Sequence, residues 1–305
     1  MRFSAFLACA AVAPLLMAAS KPVRLQPSTP WVLDYAENSC RLIRSFGLGD
    51  TKTVLGLESE SPDEVDMLAV GKPLETSLLL VPARLLPVQQ KPIKGSSLQS
   101  ADKGEPAVLW SRVTLLPDDL AEKLEKRAEE RRAKPGVRPP PLDLAEEAQI
   151  RAKHQEFASS ATELEIMPRV NRPVVLETGS LGHAIKAFDK CGRDSLRDWG
   201  VDPDLEEKIV RPVWAPDPSK WFSASDYPAG MQFRGEESVV KVRLLVDASG
   251  NPTKCTSLSH FKERAFNDAV CAIFMKRAHF EPAELADGTK VPSYYTNTIT
   301  FRLEP

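Results

Sequence analysis

Ser238-Val-Val-Lys-Val-Arg-Leu-Leu-Val246, followed at once by Asp247-Ala-Ser-Gly-Asn-Pro252, decides how the C-terminal part of this chain folds. Val240, Val242, Leu244 and Val246 alternate with Lys241 and Arg243, so one face is apolar and the other polar, the pattern of a half-buried strand. The Gly and Asn of the next segment suit the positive φ of a tight hairpin, and Thr253 to Ser259 can return antiparallel. From Lys262 to Arg277 the period lengthens: Phe266, Ala269, Val270, Ile273 and Phe274 recur at helical spacing. A turn at Asp287-Gly288 leads into a last strand, Ser293 to Leu303, rich in Tyr, Thr, Ile and Phe. The stretch from Asp226 to Pro305 therefore reads strand, strand, helix, strand.

At these residues the stretch resembles the C-terminal domain of TonB, the periplasmic arm that carries inner-membrane energy to outer-membrane transporters. Four pieces carry the resemblance: Tyr227-Pro228, the hairpin from Asp247 to Gly250, Phe266-Asn-Asp-Ala269, and Arg277-Ala-His-Phe280-Glu-Pro282-Ala283. It implies a small sheet whose last strand accepts an extended transporter peptide along its edge. The residues it marks for partner binding are Tyr227, Pro228, Tyr294, Tyr295, Asn297, Ile299 and Phe301. That edge could instead be covered by the preceding linker, the extreme C-terminus or a second copy of the domain. The chain departs from TonB in lacking a long Pro, Glu and Lys-rich spacer, and Ser225-Asp226 stands where the family has Gln-Pro before Tyr-Pro.

Length and composition bound the remaining possibilities. A chain of 305 residues, 42% hydrophobic and 27% charged, is long enough for two domains with buried cores. A formal charge of −2 supplies no field to gather nucleic acid or anionic lipid. Arg2, the apolar run from Ala5 to Ala19 and the small residues Ala18-Ala-Ser20 read as a secretory leader cleaved near Lys21. Its fifteen apolar residues fall short of the ~20 that span a bilayer. Cleavage predicts a periplasmic protein; an uncleaved segment would anchor it in the inner membrane.

Removal of the leader takes Cys9 with it and leaves Cys40, Cys191, Cys255 and Cys271. Four cysteines in an exported chain favour disulfides and allow three pairings. Locality favours Cys255 with Cys271 and Cys40 with Cys191. Parity agrees for the second pair, since Cys40 shares a strand face with Leu42 and Phe46, and Cys191 shares a helix stripe with Ala184 and Phe188. Four buried free thiols are the alternative. There is no Cys-x-x-Cys, and His154, His183, His260 and His279 form no ligand-spaced cluster, so no metal or other cofactor is expected.

Residues 21–200 read as a β-rich N-terminal domain. Trp31 to Tyr35, Cys40 to Phe46, Thr51 to Glu58, Val65 to Val70, Thr76 to Leu86 and Val108 to Leu116 are short strands separated by Gly, Asp, Ser and Pro. Glu163 to Arg169 and Pro173 to Glu177 would complete a sheet or small barrel of roughly six to eight strands. Residues 117–159 interrupt it with two polar helices joined by Pro135-Gly-Val-Arg-Pro-Pro-Pro141, a protruding helical hairpin insertion in which Glu146 is placed for a capping box. The domain closes on an amphipathic helix from Ser180 to Trp199, with Gly200 as its cap. Trp31 to Tyr35, Cys40 to Gly47 and Cys191 to Gly200 together are similar to the amino-terminal regions of some exported bacterial proteins with TonB-like tails, a similarity that implies no activity. Residues 201–225, with four prolines, Trp214 and Trp221, read as a linker that packs partly on a neighbouring domain. The fold class is α+β.

No catalytic motif stands out. Neither a nucleophile elbow, a phosphate loop, a dinucleotide fingerprint nor His-Glu-x-x-His is present, and no small-molecule substrate is evident. Asp34, in Trp-Val-Leu-Asp-Tyr, is the sharpest candidate acid for a hydrolase, because an Asp among apolar strand residues can have a raised pKa, but a strand-end or outward-facing Asp is the simpler account. The sequence thus supports a periplasmic adaptor that binds a protein partner through its last sheet. A structural protein whose TonB-like module forms a homodimer is the alternative, and a hydrolase centred on the N-terminal half is a third.

Overall fold

The computed structural model describes residues 21–36, 39–61, 64–99, 104–134, 136–168, 172–258 and 264–303. The expected leader and His260 lie outside these residues. The architecture is α+β, built around two hydrophobic cores.

The first core lies inside a curled sheet of β1 (Val23–Leu25), β2 (Val32–Tyr35), β3 (Cys40–Phe46), β4 (Thr53–Ser61), β5 (Glu64–Val70), β6 (Leu80–Leu86), β7 (Ile93–Gln99), β8 (Pro106–Trp110), β9 (Glu163–Ile166) and β10 (Val174–Leu176). Their order is β1-β10-β9-β6-β7-β8-β5-β4-β3-β2, antiparallel throughout except for β1 beside β10. Alternation sets the curl's inner face: Cys40, Leu42 and Phe46 of β3, and Val81, Ala83 and Leu85 of β6, are buried. The chain after β1 ties the two ends together. Ser28 N–H donates to Ser45 O at 2.9 Å, and Gly47 N–H to Gln26 O at 2.9 Å.

Ten strands exceed the six to eight expected, because β1 and β7 have no readable alternation. β1 has three residues, and β7 carries Gly95 where its apolar face would need a side chain. A Cβ at Gly95 would stand 2.6 Å from the Trp110 indole, so its place in the core is taken by Trp110, whose Nε1–H donates to Val81 O at 3.0 Å.

Two helices, α1 (Asp118–Arg132) and α2 (Leu144–Ser160), form the insertion between β8 and β9. Asp143 caps α2 by accepting from the Ala145 and Glu146 N–H groups. Glu146 completes no capping box: its carboxylate takes Lys123 and Arg127 of α1 at 2.7 Å each. Nor does the insertion stand free. Phe157 and Ala158 are buried in the first core, and α2 packs on α3 (Gly182–Trp199). The proline turn docks elsewhere, as Leu142 N–H donates to Val210 O at 2.6 Å and Arg138 pairs with Glu281 at 2.9 Å.

Buried Ala184, Ile185, Phe188, Cys191 and Leu196 lay α3 against the sheet, and Gly200 at φ 87° ends it. Ser180 Oγ accepts from Gly182 N–H at 3.3 Å, one residue ahead of Leu181 at the cap position. Cys40 and Cys191 bond α3 to β3 across 6.1 Å between Cα atoms, the pairing that parity favours.

The second core belongs to α4 (Pro203–Glu206), β11 (Ile209–Arg211), α5 (Ala229–Arg234), β12 (Ser238–Val246), β13 (Pro252–Ser257), α6 (Arg264–Arg277), β14 (Ala283–Leu285), β15 (Lys290–Val291) and β16 (Ser293–Phe301), with the segments between them. One sheet has the order β13-β12-β16, antiparallel throughout, with α6 across one face. Val240, Val242, Leu244 and Val246 meet Phe266, Val270 and Phe274 of α6 there, each large side chain contributing about 1.5–3 kcal/mol by burial. Cys255 and Cys271 join β13 to α6 across 5.5 Å between Cα atoms.

Residues 201–225 are integral to this core. β11 pairs with β14 in a second small sheet, β11-β14-β15, and Trp221 stacks edge-on against Phe274 and Phe280 at 5.9 and 5.1 Å.

Candidate functional site

The strand pairing decides which backbone groups β16 can offer. Leu258 N–H donates to Lys241 O at 2.8 Å, so the backbone of Lys241 points toward β13. Residues of one parity in an antiparallel strand face the same neighbour, hence Val240, Val242 and Leu244 direct their N–H and C=O toward β16. Their partners are Ile299, Asn297 and Tyr295. Thr296, Thr298 and Thr300 consequently turn their backbone polar groups away from the sheet. Among the described residues no strand pairs with that side of β16.

The outward row is partly guarded. Thr298 N–H donates to Asn297 Oδ1 at 2.7 Å, and Asn297 Nδ2 donates to Tyr295 Oη at 3.1 Å. The Asn297 amide thus occupies one donor of an otherwise unpaired edge, and an added strand must replace that bond with one of its own. Burial pushes the Tyr295 phenol up to about 12, so it stays neutral and hydrogen-bonding at any physiological pH. Ser293 to Phe301 carries no charged residue that would repel an approaching strand.

The residues marked from sequence fall into three groups. Asn297 and Ile299 are half-buried at the edge itself, and Tyr295 lies behind them with its ring 4.9 Å from Phe280. Tyr227 and Phe301 belong to the core: their rings are 5.3 Å apart, Tyr227 also meets Phe266 at 5.7 Å, and its hydroxyl donates to Glu236 O. Pro228 precedes α5 as its N-cap residue. Tyr294 faces the opposite side of the sheet, edge-on to Trp199 at 6.0 Å. Thr296, Thr298 and Thr300 were not marked. Their role follows from the pairing register, for which only the alternation of β12 gave a signal.

The other pieces of the resemblance build the frame that holds this edge. Asp247 accepts from the Ser249 and Asn251 N–H groups at 2.8 and 2.9 Å, which closes the hairpin and holds its carboxyl below the usual range. At Gly250, φ is 86°, and a Cβ would stand 2.0 Å from Phe280 O; Phe280 N–H returns a bond to Gly250 O at 2.9 Å. Arg277, at the end of α6, takes Asp226 in a fork of 2.7 and 2.9 Å and also reaches Trp221 O. Arg277 together with the Ser223 hydroxyl and N–H holds the Asp226 carboxyl down at about 2.

Residues 223–303 match the family model of the Gram-negative bacterial TonB protein C-terminal. This segment, which runs from before α5 to the end of β16, is therefore similar to TonB C-terminal domains. No curated protein matches the chain.

Asp34 is exposed on β2, opposite Arg41 of β3. His183 and His279 are exposed, and His154 lies 3.7 Å from Asp189. Among the described residues no group of three or more His, Cys, Asp or Glu could hold a metal, and no helix is long and apolar enough to cross a membrane. A cavity of about 490 Å³ lies between the proline turn of the insertion and residues 211–219, and Arg131, Lys134 and Trp214 are among the residues that line it.

Proposed function

We propose that this protein is a periplasmic adaptor that binds a partner by adding an extended peptide as a fourth strand beside β16. The reading extends to TonB-dependent outer-membrane transport, with the periplasm-facing peptide of a transporter as the partner, and to a binding rather than catalytic role. The observation that carries it is the outward row of Thr296, Thr298 and Thr300 in an uncharged edge strand of a segment similar to TonB C-terminal domains. Each of these residues turns one N–H and one C=O outward, the Thr298 N–H exchanging its bond to Asn297 for one to the partner, and each bond gained contributes about 0.5–1.5 kcal/mol net. Backbone pairing of this size gives a weak, reversible contact, suited to a partner that must be released.

The same uncharged edge also fits pairing with β16 of a second copy, which would make the domain a dimerisation module. Titration of the purified protein with synthetic transporter peptides separates the two. Saturable binding by the monomer supports the adaptor. A dimer whose formation is blocked by a proline in β16, with no peptide uptake, overturns it.

A further inference from the structure

The cavity of about 490 Å³ takes its lining from two places in the chain: the end of α1 with the turn after it, and the segment from Arg211 to Ser219. Five lining residues, Pro139, Pro140, Pro212, Pro216 and Pro218, have no N–H to give. The N–H groups of two others are already committed, Leu142 to Val210 O at 2.6 Å and Trp214 to Glu281 O at 3.0 Å. The lining is thus poor in the backbone donors that a sugar or an extended peptide would need, and a ligand held there gains chiefly by burying hydrocarbon. Its charge, however, is not balanced. Asp217, the one acid of the lining among the described residues, is taken by Lys220 at 2.9 Å and by the Ser219 hydroxyl at 2.5 Å. Of the four lining cations, Arg138 is paired with Glu281 at 2.9 Å and Arg211 lies 3.9 Å from Glu284. Arg131 and Lys134 are exposed, and neither side chain has an ion pair among the described residues.

We propose that this cavity binds a small amphipathic anion, a hydrocarbon chain that ends in a carboxylate. The chain leaves water against Trp214 and the prolines, and the carboxylate meets Arg131 and Lys134. Exposed cations suit such a head group, which stays partly hydrated while its tail is buried. A volume of about 490 Å³ falls within the roughly 300–1,000 Å³ of small-molecule sites. Because the lining joins the insertion to the segment before α5, the ligand binds only the folded arrangement of the two and stabilises it.

Three probes separate head from tail: decanoate, decyltrimethylammonium and acetate, each titrated calorimetrically into the whole protein below any micelle concentration, with thermal unfolding measured alongside. Decanoate saturates one site and raises Tm, decyltrimethylammonium binds at least about tenfold more weakly, and acetate does not saturate over the same range. The double variant Arg131→Gln, Lys134→Gln weakens decanoate about tenfold and leaves decyltrimethylammonium unchanged or tighter. The same cations complement the C-terminal dipole of α1, so lost stability in that variant with undiminished decanoate binding assigns them to the helix end and overturns the proposal. Val137→Glu, at a lining position that is 62% exposed, adds an acid to the cavity. It weakens decanoate and tightens decyltrimethylammonium, opposite changes that misfolding does not produce; parallel changes in the two overturn the proposal. Equal affinity of the parent for both amphiphiles, acetate as tight as decanoate, or no saturation by decanoate likewise overturns it.

Discussion

A proline scanned along β16 distinguishes its two backbone rows. Proline removes the N–H and fills its place with ring carbons, which a strand tolerates only where that N–H faces no ladder partner. Thr298 N–H lies outside the ladder and donates only to the adjacent Asn297 side chain, so Thr298→Pro loses one local bond and bends φ modestly, a cost of about 1 kcal/mol. Ile299 is paired with Val240 and turns its N–H into the ladder, so Ile299→Pro removes a sheet bond, strands the Val240 carbonyl and displaces a side chain packed on the second core, about 3 kcal/mol or more in all. Denaturant unfolding followed by tryptophan fluorescence reads both midpoints, since Trp221 lies in that core. The same Thr298→Pro protein should have lost peptide uptake, because the ring occupies the line along which an added strand must approach. Equal destabilisation by the two prolines, or undiminished peptide binding by Thr298→Pro, would refute the assignment of the outward row.

Three further outcomes follow from the frame around the edge. Replacing Cys255 and Cys271 by serine opens a loop of sequence separation 16 and should lower stability by about 3 kcal/mol, and replacing Cys40 and Cys191, at separation 151, by about 4–5 kcal/mol if the entropic model holds; thermal unfolding with and without reductant measures both. Gly250→Ala places a methyl on Phe280 O and forces a left-handed residue, so it should cost about 2–3 kcal/mol by denaturant unfolding and detach the Phe280 segment from the hairpin. Asp226 has its folded pKa depressed from 3.8 to about 2, hence its pairing with Arg277 stabilises fully above about pH 4 and is lost as pH falls toward 2. With the Arg277 side chain 42% exposed, the contribution is screened to about 1 kcal/mol, and Asp226→Asn should flatten the acid limb of a stability profile by that amount.

Much of the second core was legible because its signals are local. The alternation in Ser238 to Val246, the helical recurrence of Phe266, Val270 and Phe274, and the Gly250 turn each reflect one element's own geometry, and the structure returns all three. The two disulfides were readable for the same reason: each cysteine sits on the inward parity of its element or next to it. What escaped depends on contacts between distant segments. β7 has few apolar residues and carries Gly95 on its inner side, where Trp110 fills the space that the glycine leaves, and its pairing with β6 and β8 makes it a strand. Glu146 looked like half of a capping box, but two cations of α1 compete for it more strongly than the N-cap N–H does. The linker prolines hid β11, whose three residues are stabilised by β14 from more than seventy positions away. At the candidate site, the aromatic residues attracted notice, although Tyr227 and Phe301 serve the core. The threonines between them carry the outward backbone, and side-chain chemistry gives no hint of which way a backbone N–H points.

Amide resonances of Tyr294 to Phe301, followed by NMR while a synthetic transporter peptide is added to the intact protein, test strand addition most directly. The account predicts an alternating result: exchange at Thr296, Thr298 and Thr300 slows on binding, whereas Tyr295, Asn297 and Ile299, already bonded to β12, keep their rates. Protection that spreads evenly over both rows, or that appears on another element while the three threonines stay unchanged, would contradict it.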